Sequence, residues 1–320
     1  MTTELKHNPI RKIPSVTLAV AAIWLGTLAC GNAAETDRSA RIATAKSTEI
    51  PESMAADLDV VYATLSKERA LRMDVFRLRA LQQPAPAILV VHGGGWLKGD
   101  KSKFRALALR LAERGYVTAA VEYRLGGEAR FPAAIRDCNT ATAFMRANAA
   151  RYGVDPDRIS AVGGSAGGHL VGLMAAGHEI PGLRHEQHLP NISAELQAVV
   201  VMAGPLEIIT GSVAQKSTGP DAKSNAIEWI GGSLQEKPQG YRMADVLTKI
   251  DASMPPTLFL CGSLDNPERN EAARQAIRSH GGTTELIVHD DAKHGHWNRP
   301  EWIPRVVDDI DGFLTQHLNR

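Results

Sequence analysis

The chain has 320 residues, 44% hydrophobic and 22% charged, with a formal net charge of +1. That is ordinary globular composition, with enough chain for one large α/β domain and additions to it. The near-neutral balance argues against nucleic acid or an anionic membrane as a partner, and the sequence shows no repeat period or low-complexity tract.

At the N-terminus, Lys6, Arg11 and Lys12 precede an apolar run from Val16 to Cys30, and small residues follow through Ala33-Ala34. This is the layout of a secretory signal peptide. Residues 1–34 are therefore expected to be a leader, and the protein to be exported, periplasmic or secreted. The apolar run is short for a membrane span. A lipoprotein anchored at Cys30 is the competing reading, although Thr27 stands where the lipid-box leucine usually does. Residues 35–54 are polar and aperiodic and read as a linker, which leaves 55–320 as the folded domain.

Leu58 to Leu65 and Leu71 to Leu78 read as two opening strands with partial alternation. Ala87 to Val91 is a fully apolar strand that runs into the loop His92-Gly93-Gly94-Gly95-Trp96. A helix is expected from Phe104 to Arg114, capped by Gly115, then a strand from Tyr116 to Val121. Pro132 opens a long helix to about Tyr152. The strand Ile159 to Val162 leads into Gly163-Gly164-Ser165-Ala166-Gly167 and a helix through Ala176. Further strands are expected at Gln197 to Met202, Pro256 to Leu260 and Thr284 to Val288, with helices at Asn270 to His280 and Trp302 to Leu318. Strands alternating with helices predict a mostly parallel sheet covered on both faces. Residues 204–249 break that rhythm and read as a cap-like insertion over the mouth of the site.

The two glycine motifs carry the chemistry. A serine on a glycine-pinched strand-to-helix turn is pushed out of regular geometry, with its hydroxyl exposed above the sheet at a helix N-terminus. Glycines after the earlier strand can aim backbone N–H groups at an oxyanion. Together, each after a strand and in this order, the motifs point to a nucleophilic serine hydrolase. Of the cysteines beyond the leader, Cys138 and Cys261 read as free, buried thiols. His178, His185 and His188 match no zinc spacing and read as a solvated loop, so neither metal nor cofactor is expected.

In residue types, order and context, the chain from about residue 58 onward resembles the α/β-hydrolase family, in the esterase/lipase branch with a histidine–glycine oxyanion loop. Phe131-Pro132-Ala133-Ala134-Ile135-Arg136-Asp137 and Gly163 to His169 are similar to exported carbohydrate esterases such as acetylxylan and feruloyl esterases. The resemblance implies the order nucleophile, acid, histidine, with the partners downstream of Ser165. His294, in Asp291-Ala292-Lys293-His294-Gly295-His296-Trp297, is in register as the base, with His296 as its rival. Asp265 is the candidate acid. The following Asn266-Pro267-Glu268-Arg269 departs from the family pattern and leaves Glu268 as a substitute. The oxyanion donors would be Ala166, Gly94 and Gly95. Trp96, His296 and Trp297 are candidates for contact with substrate, with a core aromatic as the alternative for Trp96 and a surface or hydrogen-bonded residue as the alternative for His296. Tyr123-Arg124 resembles a segment that buttresses the oxyanion loop.

The expected activity is hydrolysis of a carboxylic ester through an acyl-enzyme, with short acyl groups on carbohydrate as the first substrate class. A peptidase or amidase of the same fold is the alternative, and a non-catalytic binding module a more distant one.

Overall fold

The computed structural model describes residues 48–184, 189 and 191–318. The leader, the Cys30 anchor and most of the expected linker lie outside the described residues, as do His185 and His188 of the histidine cluster. Eight strands form one sheet: β1 (Met54–Thr64), β2 (Ala70–Leu78), β3 (Ala85–Val91), β4 (Val117–Val121), β5 (Val154–Gly164), β6 (Ala198–Met202), β7 (Thr257–Gly262) and β8 (Thr284–His289). Their spatial order is β1-β2-β4-β3-β5-β6-β7-β8. The two pairs involving β2 are antiparallel and the remaining five are parallel.

The apolar run of β3 explains how the sheet is covered. Strand residues alternate between faces. Ala87, Leu89 and Val91 enter one core and Ile88 and Val90 the other. On the first face lie α2 (Ala133–Ala147) and α4 (Ala166–Gly177), through Ile135, Cys138, Leu170 and Leu173. On the second lie α1 (Arg105–Glu113) and α9 (Ile303–His317), through Leu107, Leu111, Val306 and Ile310. The remaining helices are α3 (Ala149–Tyr152), α5 (Gly211–Lys216), α6 (Asn225–Ile230), α7 (Pro238–Ala244) and α8 (Glu271–Ser279). Cys138 and Cys261 are both free and buried.

Two differences from the sequence reading have local causes. The long helix expected to Tyr152 stops at Asn148, whose side-chain amide donates to the Phe144 carbonyl at 2.9 Å and competes with the helical ladder. A short turn, α3, follows. β5 begins at Val154, well before Ile159, because Ala85 pairs with Val154 across a register irregularity. Asp155-Pro156-Asp157 carries turn chemistry, which hides that extension. At the sheet edge, β1 is bulged at Asp59, where φ is 54°, and leaves Leu58 and Val61 exposed.

One buried ion cluster fixes the sheet to the segment after the glycine loop. Asp74 on β2 is fully buried and pairs with Lys101 at 2.7 Å and Arg105 at 2.6 Å. Burial alone would raise its carboxyl. The Asp59 amide and the two cations outweigh that and hold it below the ordinary carboxylate value. Its contribution to stability is therefore present above the usual carboxylate range and is lost as pH falls through the depressed value. Asp74→Ala leaves two cations facing a buried void, and is expected to lower unfolding stability by about 3–5 kcal/mol, read by urea unfolding.

Candidate active site

Ser165 stands at the tip between β5 and α4 with φ 56° and ψ −121°, a conformation a non-glycine residue rarely adopts. The turn holds because small residues surround it. A Cβ at Gly163 would lie 2.2 Å from the Gly167 carbonyl oxygen, so no larger residue lets strand and helix approach this closely. The Ser165 amide donates to Met202 of β6 at 2.8 Å, which leaves the side chain above the sheet.

His294 lies in the loop after β8, and Asp265 in the loop after β7. Both loops leave the carboxyl ends of parallel strands, as does Ser165, and they deliver three side chains to one place. His294 Nε2 is 3.0 Å from Ser165 Oγ. Its Nδ1 is 2.6 Å from Asp265 Oδ2. A carboxylate only accepts, so Nδ1 carries the proton there and Nε2 presents its lone pair to the serine hydroxyl. The His294 side chain is 45% exposed, whereas that of Asp265 is 9% exposed. The imidazole thus reaches solvent while its carboxylate partner is sheltered.

Arg269 was not singled out by the sequence reading. Its Nη2 lies 2.9 Å from Asp265 Oδ1, and its Nη1 donates to the Ala203 carbonyl at 2.6 Å. Burial pushes the Asp265 carboxyl up, but the hydrogen bond with His294 and the Arg269 charge together hold it below its ordinary value. The unusual Asn266-Pro267-Glu268-Arg269 run therefore brings a cation to the Asp265 carboxylate. Glu268 is exposed, and Asp265 is the carboxylate in contact with the imidazole. The four-residue spacing from Asp265 to Arg269 was the available signal.

The glycine loop abuts the serine turn: a Cβ at Gly93 would meet the Gly164 carbonyl oxygen at 2.4 Å and Ser165 Cβ at 3.1 Å. Gly94 has φ +142°, open to glycine and strained for other residues, and its carbonyl accepts from Leu97 and Lys98. Among the described residues no acceptor pairs with the amides of Gly94, Gly95 or Ala166, and Ala166 opens α4 where helix amides lack intrahelical partners. The loop is braced from beneath. Tyr123 donates to the His92 carbonyl at 2.8 Å, and its ring stacks on the His92 ring at 4.3 Å. Burial pushes the His92 imidazole down to about 4. Arg124 is held by Asp137 through hydrogen bonds of 2.6–3.1 Å.

The three residues expected to contact substrate are all buried. Trp96 is buried, stacked on Trp229 of α6 at 4.8 Å, with its Nε1 directed at His169 Nδ1 at 3.3 Å. Trp297 is buried beneath the serine turn, where a Cβ at Gly164 would lie 2.4 Å from its indole nitrogen. His296 is fully buried and bonded to His289 and the Lys293 carbonyl. These rings support the backbone of the site. His169, also buried, hydrogen-bonds the Ala244 carbonyl at 2.8 Å and so ties α4 to α7. Residues 204–249 carry α5, α6 and α7, with Trp229 against Trp96 and the Asn225 carboxamide against Gly95.

Comparison with known proteins agrees with this architecture. The model of the BD-FAE family matches residues 73–275. Esterase LipC of Mycobacterium tuberculosis is 30% identical over 208 residues, covering 64% of this chain and 51% of its own. The carboxylic ester hydrolase LipM of the same organism, described as probable, is 29% identical over 256 residues, covering 79% and 57%. The chain thus spans about half the length of these relatives. Among solved structures, a truncated carbohydrate esterase from gut microbiota superposes with a TM-score of 0.72 at 19% identity, covering 83% of this chain and 97% of that one. Esterase Est2 of Thermogutta terrifontis superposes with a TM-score of 0.67 at 26% identity, covering 83% and 94%. The fold is the α/β-hydrolase fold.

Proposed function

Since the chain belongs to the BD-FAE family, we propose that it is a serine hydrolase of carboxylic esters, with Ser165 as nucleophile, His294 as general base and Asp265 as its orienting acid. The observation that carries this reading is the row Asp265–His294–Ser165, with contacts of 2.6 and 3.0 Å. His294 Nε2 takes the hydroxyl proton as Ser165 Oγ attacks the acyl carbon. Asp265 stabilises the imidazolium that forms. The tetrahedral oxyanion is received by the amides of Ala166, Gly94 and Gly95, where losing one donor typically costs about 3–4 kcal/mol of transition-state stabilisation. His294 then gives its proton to the leaving alkoxide. Water, activated by the same nitrogen, attacks the acyl-enzyme, and Ser165 regains its proton as the carboxylic acid departs.

Short acyl groups on carbohydrate are the substrate class proposed. Est2 of Thermogutta terrifontis has been solved with propionate and with butyrate bound, and the gut relative is described as a carbohydrate esterase. Export through the leader at 1–34 is proposed from Lys6, Arg11, Lys12 and the apolar run that follows. A panel of acetyl, butyryl and feruloyl esters with acetylated xylan, set beside aminoacyl anilides, tests the reading. The expected order places acetyl esters first by kcat/KM, about tenfold or more above feruloyl, a difference of roughly 1.4 kcal/mol in transition-state binding. Anilides turned over faster than esters would favour an amidase.

A further inference from the structure

Beside His294 runs a second row of hydrogen-bonded histidines that the ester chemistry does not use. His289 ends β8, and His296 follows Gly295; both are fully buried. Three contacts lie in series. Asp309 Oδ2 on α9 is 2.6 Å from His289 Nε2. His289 Nδ1 is 2.9 Å from His296 Nε2. His296 Nδ1 is 3.1 Å from the Lys293 carbonyl oxygen.

The row ends on an acceptor at each side, a carboxylate and a backbone carbonyl. Each of the three contacts needs one proton between its atoms. Two neutral imidazoles carry two N–H groups. If His296 donates to Lys293, its Nε2 must accept from His289, and His289 must then donate from both nitrogens to serve Asp309 as well. If His296 instead donates to His289, its Nδ1 faces a carbonyl with no proton between them. All three bonds form together only with one proton more than two neutral imidazoles and a carboxylate carry, and the 2.6 Å contact with Asp309 places that charge on His289, the ring that touches the carboxylate, since a carboxyl is the stronger acid and His296 has no anion against it.

We infer that His289 is an imidazolium clamped between the Asp309 carboxylate and neutral His296, and that this row positions the turn carrying His294. The inference rests on the reading of His294 as the base. The surroundings suit a buried cation. The indole of Trp302 stacks on the His289 ring at 5.4 Å. Burial, with His289 beside it, pushes the His296 imidazole down to about 4, which leaves that ring neutral. The other titratable groups facing His296 are Asp265 and His294. The anchored turn is short: His296 also donates its amide to Lys293, so imidazole and amide grip one carbonyl on the two sides of His294. The row acts through the loop and touches no reacting atom, so these are positioning residues.

Ring-nitrogen NMR of the full chain with ¹⁵N-labelled histidine, near neutral pH, tests the inference. His289 is expected to show two protonated nitrogens and His296 one, at Nδ1. Asp309→Leu is expected to lower kcat about tenfold with KM little changed, because His294 is misplaced and substrate binding is not. Asp309→Asn is expected to recover most of that loss. Its amide donates to His289 Nε2 and completes the row with one ring proton fewer, so His289 in that variant shows a single protonated nitrogen. A neutral His289 in the parent protein overturns the inference, and so does an Asn variant no better than Leu or a Leu variant with unaltered kcat. The spectrum does not depend on turnover. Failure of the esterase reading would leave it intact and would appear instead as equal activity of the parent and Ser165→Ala.

Discussion

Ser165→Ala is expected to lower kcat/KM on a short acyl ester by roughly a hundred-thousandfold, with unfolding behaviour close to that of the parent. The size follows from the geometry. His294 Nε2 has one hydroxyl in front of it, 3.0 Å away, and no acyl-enzyme forms without that oxygen. What remains is the oxyanion pocket acting on water. Alanine keeps the Cβ that Gly93 packs beside, and the amide bond from residue 165 to Met202 does not involve the side chain. Kinetics on purified protein, with circular dichroism to confirm the fold, read the outcome.

Asp265→Asn is expected to be the next largest loss, about a thousandfold to ten-thousandfold in kcat. The carboxylate holds the proton on His294 Nδ1 through a 2.6 Å contact. An amide can turn its N–H toward Nδ1, which moves the ring proton to Nε2 and leaves no lone pair for the serine hydroxyl. The change also removes the negative charge opposite Arg269, which keeps only a neutral amide oxygen to donate to at the 2.9 Å contact. Two comparisons separate these effects. Arg269→Met, which keeps the acid, should cost far less, and Glu268→Gln at an exposed position should change kcat little. Because the Asp265 carboxyl is held below its ordinary value, it stays ionised through mildly acidic pH. An acid loss of activity in that range would then belong to another group.

The motifs carrying Ser165, His294 and the glycine loop were legible in the sequence because each is local. A serine between small residues after an apolar strand, or glycines after another, carries its geometry in a few neighbours. The same holds for β3, whose unbroken apolar run announces burial on both faces. Trp96, His296 and Trp297 were ambiguous for the opposite reason. An aromatic or histidine beside a motif reads alike whether it faces substrate or the core, and the deciding neighbour was remote. For Trp96 it is Trp229, more than a hundred residues on, in α6. For His296 it is His289, seven residues back and across a turn, itself held by Asp309 on the closing helix. Arg269 was missed because its partner is set by the fold of the acid loop. The break at Asn148 escaped notice because one side-chain hydrogen bond decides it.

The most direct test is labelling with a fluorophosphonate, followed by peptide mass spectrometry and ester assay on the same sample. One adduct per chain is expected, on Ser165, with esterase activity falling in proportion to labelling and a sharply slower reaction in His294→Ala. An adduct on another residue, or full activity in protein whose Ser165 is modified, would contradict it.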